Sequence, residues 1–226
     1  MPRLKRILIR LARSVSKTDR GLTMKRLILL LAFLLATFVP NAEAADARVL
    51  LNSARLTPTV SGFEPCDEIV RNTLARIIKP NMDTYAKVKV CYDYLIETCI
   101  YGDNRTMRNY PADTVDEGPI LAYCMLSEHV GACDQYSCAF AALVRAIGLN
   151  CYTIYGQTAR ASGGMTGHIW TVIEIDGVEY VFDPQIDDNI AGGGATGYHR
   201  FCMTYDEVGG CYADFYNNHY FRPIYY

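Results

Sequence analysis

Residues 168–184 read HIWTVIEIDGVEYVFDP. Two runs rich in β-branched and aromatic residues flank Asp176-Gly177, a dipeptide suited to a two-residue hairpin turn because both positions must adopt positive φ. With that turn, Ile175 faces Val178, Ile173 faces Tyr180 and Trp170 faces Asp183. His168 shares a face with Trp170 and becomes a diagonal neighbour of Asp183, roughly 7–8 Å away along the backbone, within reach of the two side chains. A three-residue turn would shift the register and put the pair on opposite faces.

An imidazole beside a carboxylate invites a search for a nucleophile. The stretch GACDQYSCAF, residues 131–140, supplies one. From Cys133 the apolar positions Tyr136, Phe140, Leu143, Val144 and Ile147 share one helical face, and Gly148 is placed to end the helix. Cys133 falls at the N-terminus, where unsatisfied amides and the helix dipole favour a thiolate. Cys138, about 140° further round, is expected to point away and to be free for a disulfide. Each residue has a plainer use: a buried Cys as packing or half a disulfide, a strand His as an ordinary hydrogen-bonding group, Asp-Pro as a turn. The arrangement, more than any one residue, points to a Cys nucleophile, a His base and an orienting Asp.

The remaining pattern predicts helices first and strands later. CDEIVRNTLARIIKP, from Cys66, places Ile69, Leu74, Ile77 and Ile78 near one stripe before Pro80. In MDTYAKVKVCYDYLIETCIYGD, Asp83 can cap a helix whose Val88, Cys91, Tyr92, Leu95, Ile96 and Cys99 recur at i, i+3, i+4 spacing. Cys91 and Cys99 would stand about 12 Å apart on it, too far to bond each other. Residues 103–118 read as a polar loop in which the sequon Asn104-Arg105-Thr106 implies surface exposure. PILAYCMLSEH reads as a short helix, CYTIY as a strand, and GQTARASGGMTG as a flexible loop. IAGGGATG lacks the Lys-Ser/Thr ending of a phosphate cradle and reads as a mobile loop near the cleft. The tyrosine-dense CYADFYNNHYFRPIYY either lines a substrate or glycan surface or, the plainer reading, folds back over the core. His199 and His219 lack a strand-borne carboxylate neighbour and are weaker candidates for the base.

The whole chain has 226 residues, half of them hydrophobic and 12% aromatic, enough for a real core. Its first 44 residues resemble a targeting segment: Met24-Lys25-Arg26, an apolar run from Leu27 to Val39, and Ala42-Glu43-Ala44 as a small-x-small cleavage site. The run is shorter than the roughly 20 residues that a membrane span needs. The basic residues 1–23 fit an over-long start or a membrane-surface helix. Without residues 1–44 the chain keeps 13 of its 22 basic and 22 of its 24 acidic residues, a net charge near −9 that argues against nucleic acid as a partner.

All nine cysteines, Cys66, Cys91, Cys99, Cys124, Cys133, Cys138, Cys151, Cys202 and Cys211, follow that segment. Export would permit up to four disulfides and leave one thiol, with Cys202 and Cys211 near enough in sequence to bridge locally. There is no C-x-x-C pair and the histidines are scattered, so no metal or redox cofactor is implied.

The runs AYCMLSEHVGACDQYSCAFAALVRAIGLNCYTIYG and GHIWTVIEIDGVEYVFDPQIDD resemble the transglutaminase-like superfamily, whose core joins G-x-C-x-x-Y, H-x-W and the Asp of D-P. DTYAKVKVCYDYLIETCIYGD is similar to the helix preceding that core in bacterial members. The resemblance implies a papain-like α+β fold, with N-terminal helices and a nucleophile-bearing helix packed on an antiparallel sheet. It implies Cys133 as nucleophile, His168 as general base and acid, Asp183 as the residue orienting His168, and the Cys133 amide as an oxyanion donor. Tyr136, Trp170 and Gln135 fall at cleft positions and are candidates for binding substrate, although packing suits Tyr136 and Trp170 better. The chain departs from many bacterial members at Gln135, where they have Gly, at Thr171, where they have Asn, and at Gln185-Ile186, where they have Thr-Trp. The implied organisation is a signal peptide over 1–44, a helical extension over 45–79 and a transglutaminase-like domain over 80–226. The expected function is a secreted thiol enzyme acting, without cofactor, on peptide or side-chain amides of a peptide or protein substrate, a cell-wall-associated one included, by way of a thioester, hydrolysis ahead of amine transfer. The alternative is an inactive, disulfide-braced module binding cell-surface peptides or glycans.

Overall fold

The computed structural model describes residues 42–106, 117–191 and 198–218. The targeting segment up to residue 41, most of the polar loop, the core of the glycine-rich run and the last eight residues, His219 among them, lie outside the described residues. Ala47–Tyr226 forms one compact unit.

Six helices and seven strands occur among the described residues. Helices α1 (Ala42–Ser53), α2 (Glu64–Ile77) and α3 (Thr84–Thr98) come first, then β1 (Ile100–Tyr101), α4 (Glu117–Glu128), β2 (Val130–Gly131) and α5 (Cys133–Ile147). Strands β3 (Cys151–Ala159), β4 (Met165–Ile175) and β5 (Val178–Phe182) follow, then α6 (Pro184–Ala191), β6 (Phe201–Met203) and β7 (Tyr212–Asn218). The sheet is antiparallel with order β6-β5-β4-β3-β7, and β1 pairs separately with β2 in parallel. This is the α+β architecture expected from the sequence.

Asp183 and its hairpin follow from local chemistry. Asp176 (φ 52°) and Gly177 (φ 77°) form the two-residue turn, and Ile175 pairs Val178, Ile173 pairs Tyr180 and Thr171 pairs Phe182. Helix α3 begins as its sequence predicts: the Asp83 carboxylate accepts from the Ala86 amide at 2.8 Å, and Val88, Cys91, Tyr92, Leu95 and Ile96 are buried. Helix α5 ends at Gly148, whose φ of 118° a side chain would resist.

Several expectations are corrected. Helix α2 buries Cys66, Val70 and Thr73, while Ile69, Leu74, Ile77 and Ile78 are only half-buried, so its inward face is turned by about one residue from the predicted stripe. The loop expected over 156–167 shrinks to a turn, because β3 continues to Ala159 and β4 begins at Met165. Cys138 does not face outward: α5 packs against α3 and α4 on one side and the sheet on the other, so Cys138 is completely buried. Asn104 is not on the surface either. Its side-chain amide donates to the carbonyls of Cys124 (2.9 Å) and Val130 (2.6 Å), tying the end of α4 to the strand that leads into α5. No disulfide joins any of the nine cysteines in this structure, Cys202 and Cys211 included.

The core has two parts. Between helices and sheet, Tyr92, Phe140 and Phe182 link α3, α5 and β5 through ring contacts of 5.5 Å. On the other face of the sheet a smaller cluster gathers Tyr152, Ile154, Trp170, Val172, Val181, Val208 and Tyr212. The tyrosine-rich tail therefore contributes to the fold: β7 is an edge strand on β3 and buries Tyr212. Among the described residues no helix is long and apolar enough to cross a membrane.

Candidate active site

Cys133 is the first residue of α5 and is partly exposed. Its position is fixed from both directions. Upstream, β2 is held by pairing with β1 and by Asn104. Downstream, Ser137 Oγ donates to the Ile169 carbonyl (2.8 Å), and Thr171 Oγ1 donates back to the Ser137 carbonyl (2.9 Å). This clasp locks the first turns of α5 to the residue that follows His168. It also gives Thr171, where family resemblance led to Asn, a definite task.

His168 is buried, and its Nε2 donates to Asp183 Oδ2 at 2.6 Å. Cys133 also acts on the ring, whose Nδ1 is the nitrogen that Asp183 does not engage. Burial pulls the imidazole downward, but the Asp183 charge, the hydrogen bonds to Asp183 and Cys133, and the Cys133 charge outweigh it and raise it to about 10. An imidazole so held is protonated at neutral pH and is the partner that a thiolate needs.

Asp183 has no solvent exposure, so its charge must be met by donors. Oδ1 accepts from the Ile186 amide at 3.1 Å, in the first turn of α6. Oδ2 accepts from His168 and, at 2.7 Å, from the phenol of Tyr212. Rings complete the surroundings: Trp170 lies 4.8 Å from Tyr212 and, nearly parallel, 6.3 Å from His168.

The structure thus brings Cys133, His168 and Asp183 together, with His168 hydrogen-bonded to Asp183 and within electrostatic reach of Cys133. It places the candidate binding residues differently. Tyr136 is fully buried and donates to Asp188 Oδ2 at 2.9 Å; Trp170 is fully buried and donates from Nε1 to the Tyr205 hydroxyl at 3.0 Å. Gln135 turns back on its own helix, its Oε1 accepting from the Ala132 amide at 2.6 Å. These three brace the site from within. Near Cys133 stand Tyr101, exposed on β1 opposite Gly131, and Asp134, the next residue of α5. Burial, then the charges of Cys133 and Asp134, push the Tyr101 phenol up, and burial pushes Asp134 up.

Tyr212 escapes a sequence reading. Its density of tyrosine neighbours is visible, but nothing local pairs it with Thr158 on β3 or brings it to Asp183.

No curated protein matches the chain. A solved structure provisionally assigned as a cysteine protease, from Cytophaga hutchinsonii, aligns over 64% of this chain and 43% of its own length, with 14% identity and a TM-score of 0.39. The chain thus spans less than half of that protein. The model of the transglutaminase-like superfamily matches residues 71–184, a stretch that contains Cys133, His168 and Asp183 and half of the chain. By that match, the chain belongs to the transglutaminase-like superfamily.

Proposed function

We propose that the protein is a thiol enzyme that opens a peptide or side-chain amide through a thioester on Cys133. The observation that carries this reading is the meeting of Cys133, at the start of a helix, with the hydrogen-bonded His168–Asp183 pair. In the first half-reaction the thiolate attacks the amide carbonyl, forming the C–S bond. The oxyanion faces the first turn of α5, where amides such as that of Cys133 have no intrahelical acceptor. The C–N bond then breaks as His168 gives its proton to the departing nitrogen. In the second, water attacks the thioester, His168 takes up the proton, and the C–S bond breaks to restore thiolate and imidazolium. Asp183 holds the ring in the tautomer and orientation that both transfers need.

Water is the acceptor we favour, since it needs no binding site of its own. A peptide or protein substrate suits a nucleophile that is partly exposed, as Cys133 is. Export, with residues 1–44 as the leader, is the reading that the Met24–Ala44 segment supports, and a cell-wall peptide is a substrate consistent with it.

The test is amine release from a panel of peptides and isopeptides by the protein and its variants. Cys133→Ala and His168→Gln each remove about 10³-fold or more of the rate, and Asp183→Asn on the order of 10²–10⁴-fold. Undiminished amide cleavage by Cys133→Ala refutes the proposal.

A further inference from the structure

Asp183 Oδ2 is shared. His168 Nε2 approaches it at 2.6 Å and Tyr212 Oη at 2.7 Å, while Oδ1 is engaged by the Ile186 amide. We propose that Tyr212 is a positioning residue of the site: its phenol fixes the Asp183 carboxylate in the orientation that meets His168 and draws off part of the negative charge of Oδ2, so that His168 can release its proton to the leaving nitrogen. This deepens the reading of Cys133, His168 and Asp183 given above and rests on it.

The phenol is suited to the task. Tyr212 is buried, so water does not compete for the carboxylate. Burial, and after it the Asp183 charge, push Tyr212 well above its ordinary range, so it is a donor at neutral pH. Its ring is held against Trp170, and β7 sets its height by pairing Tyr212 with Thr158, next to the Gly156–His168 pair. The other charged or titratable groups around the pair are Tyr92 from α3, Cys133 from α5, Asp187 from α6 and Arg200 ahead of β6, whose guanidinium carbon stands 5.8 Å from the Tyr212 ring centre.

A carboxylate with two donors on one oxygen attracts an imidazolium less than a carboxylate with one. Removing the phenol therefore leaves His168 the sole donor on Oδ2, tightens its hold on the proton and slows the step in which the proton leaves. The imidazolium proton moves to the departing nitrogen as the C–N bond breaks; Tyr212 neither gains nor loses a proton.

Tyr212→Phe keeps the ring and deletes the hydroxyl. The His168 imidazole resonance is titrated by NMR in the full protein and the variant, with p-nitrophenyl acetate and a cleaved peptide from the panel as rate probes. The expected result is an upward move of the His168 midpoint by about one pH unit. Peptide cleavage falls about tenfold, while the ester, whose leaving group needs no proton, turns over within about threefold of the parent rate. Tyr212→Leu serves as the packing control. If packing were the whole role, Phe would match Tyr in both titration and rate while Leu alone lost activity, and that result overturns the proposal. An unchanged midpoint in Tyr212→Phe also overturns it. Failure of the enzyme reading is separate: it shows as amide cleavage that survives Cys133→Ala, and the titration still decides whether Tyr212 governs the Asp183–His168 pair.

Discussion

Gly156→Ala tests how closely the edge strand and the candidate site are linked. Gly156 pairs with His168 across β3 and β4, where a Cβ would lie 2.2 Å from the Ala213 carbonyl oxygen and 2.6 Å from Trp170 Cη2. Carbon-to-carbonyl contacts settle near 3.3 Å, so β7 must retreat by about 1 Å, because the buried Trp170 ring cannot swing into solvent. Ala213 follows Tyr212 directly, and the same retreat stretches the 2.7 Å bond from Tyr212 to Asp183 to about 3.7 Å, outside hydrogen-bonding range. Overpacking costs about 1–3 kcal/mol, and the weakened bond to a buried carboxylate adds about 1–3 kcal/mol. At roughly 2–4 °C per kcal/mol for a domain of this size, the melting temperature falls by at least about 4 °C. Calorimetry reads the stability, and the His168 titration reads the site, its midpoint moving upward as in Tyr212→Phe. A variant that melts with the parent and leaves the His168 midpoint in place would refute the reasoning.

Native alkylation with iodoacetamide, followed by peptide mapping, labels Cys133 and Cys211 first, since the other seven thiols are buried. Among the protected ones, burial pushes Cys66, Cys99, Cys124, Cys151 and Cys202 up to about 12, and fast labelling of any of these would contradict the packing. His168 makes stability depend on pH. Raised from 6.5 to about 10, it contributes fully below pH 6.5 and loses that contribution as pH rises towards 10. The unfolding free energy therefore falls over that interval, by up to about 1.4 kcal/mol per pH unit, and urea titrations of His168→Gln show this part of the slope abolished. Asn104→Ala takes the Asn104 donor from the carbonyls of Val130 and Cys124, of which Cys124 keeps the Ser127 hydroxyl at 3.1 Å, and costs about 1–3 kcal/mol in the same assay; a neutral outcome would mean that Asn104 does not brace β2.

What could be read from the sequence was local. Asp176-Gly177 set the hairpin register through its own backbone preferences, and that register brought His168 to Asp183 without reference to the rest of the chain. Asp83 and Gly148 likewise marked the ends of their helices. The misjudged features depend on what packs against them. Cys138 looks outward only if α5 has one buried face, and periodicity cannot reveal that helices cover the other side. Asn104 carries a surface motif, yet its burial depends on carbonyls some twenty or more positions further along. Gly156 reads as a loop residue because its reason for being glycine, the Ala213 carbonyl, comes from the far end of the chain.

The same long-range logic explains the run DPQIDD. Asp183, Asp187 and Asp188 are all buried, and each accepts from a tyrosine of a different element: Tyr212 on β7, Tyr92 on α3 and Tyr136 on α5. A carboxylate cannot be buried without donors, and a phenol supplies one without adding charge, so α6 becomes the point where three distant segments are fixed relative to one another. This predicts a separation of effects. Tyr92→Phe orphans part of Asp187, which retains the amides of His199 and Arg200, and should cost about 1–2 kcal/mol while leaving the His168 midpoint unmoved. Tyr212→Phe should cost a similar amount and shift that midpoint. If Tyr92→Phe shifted it equally, the three pairs would form a single electrostatic unit, and the specific hold of Tyr212 on Asp183 would be the wrong explanation for where the His168 midpoint lies.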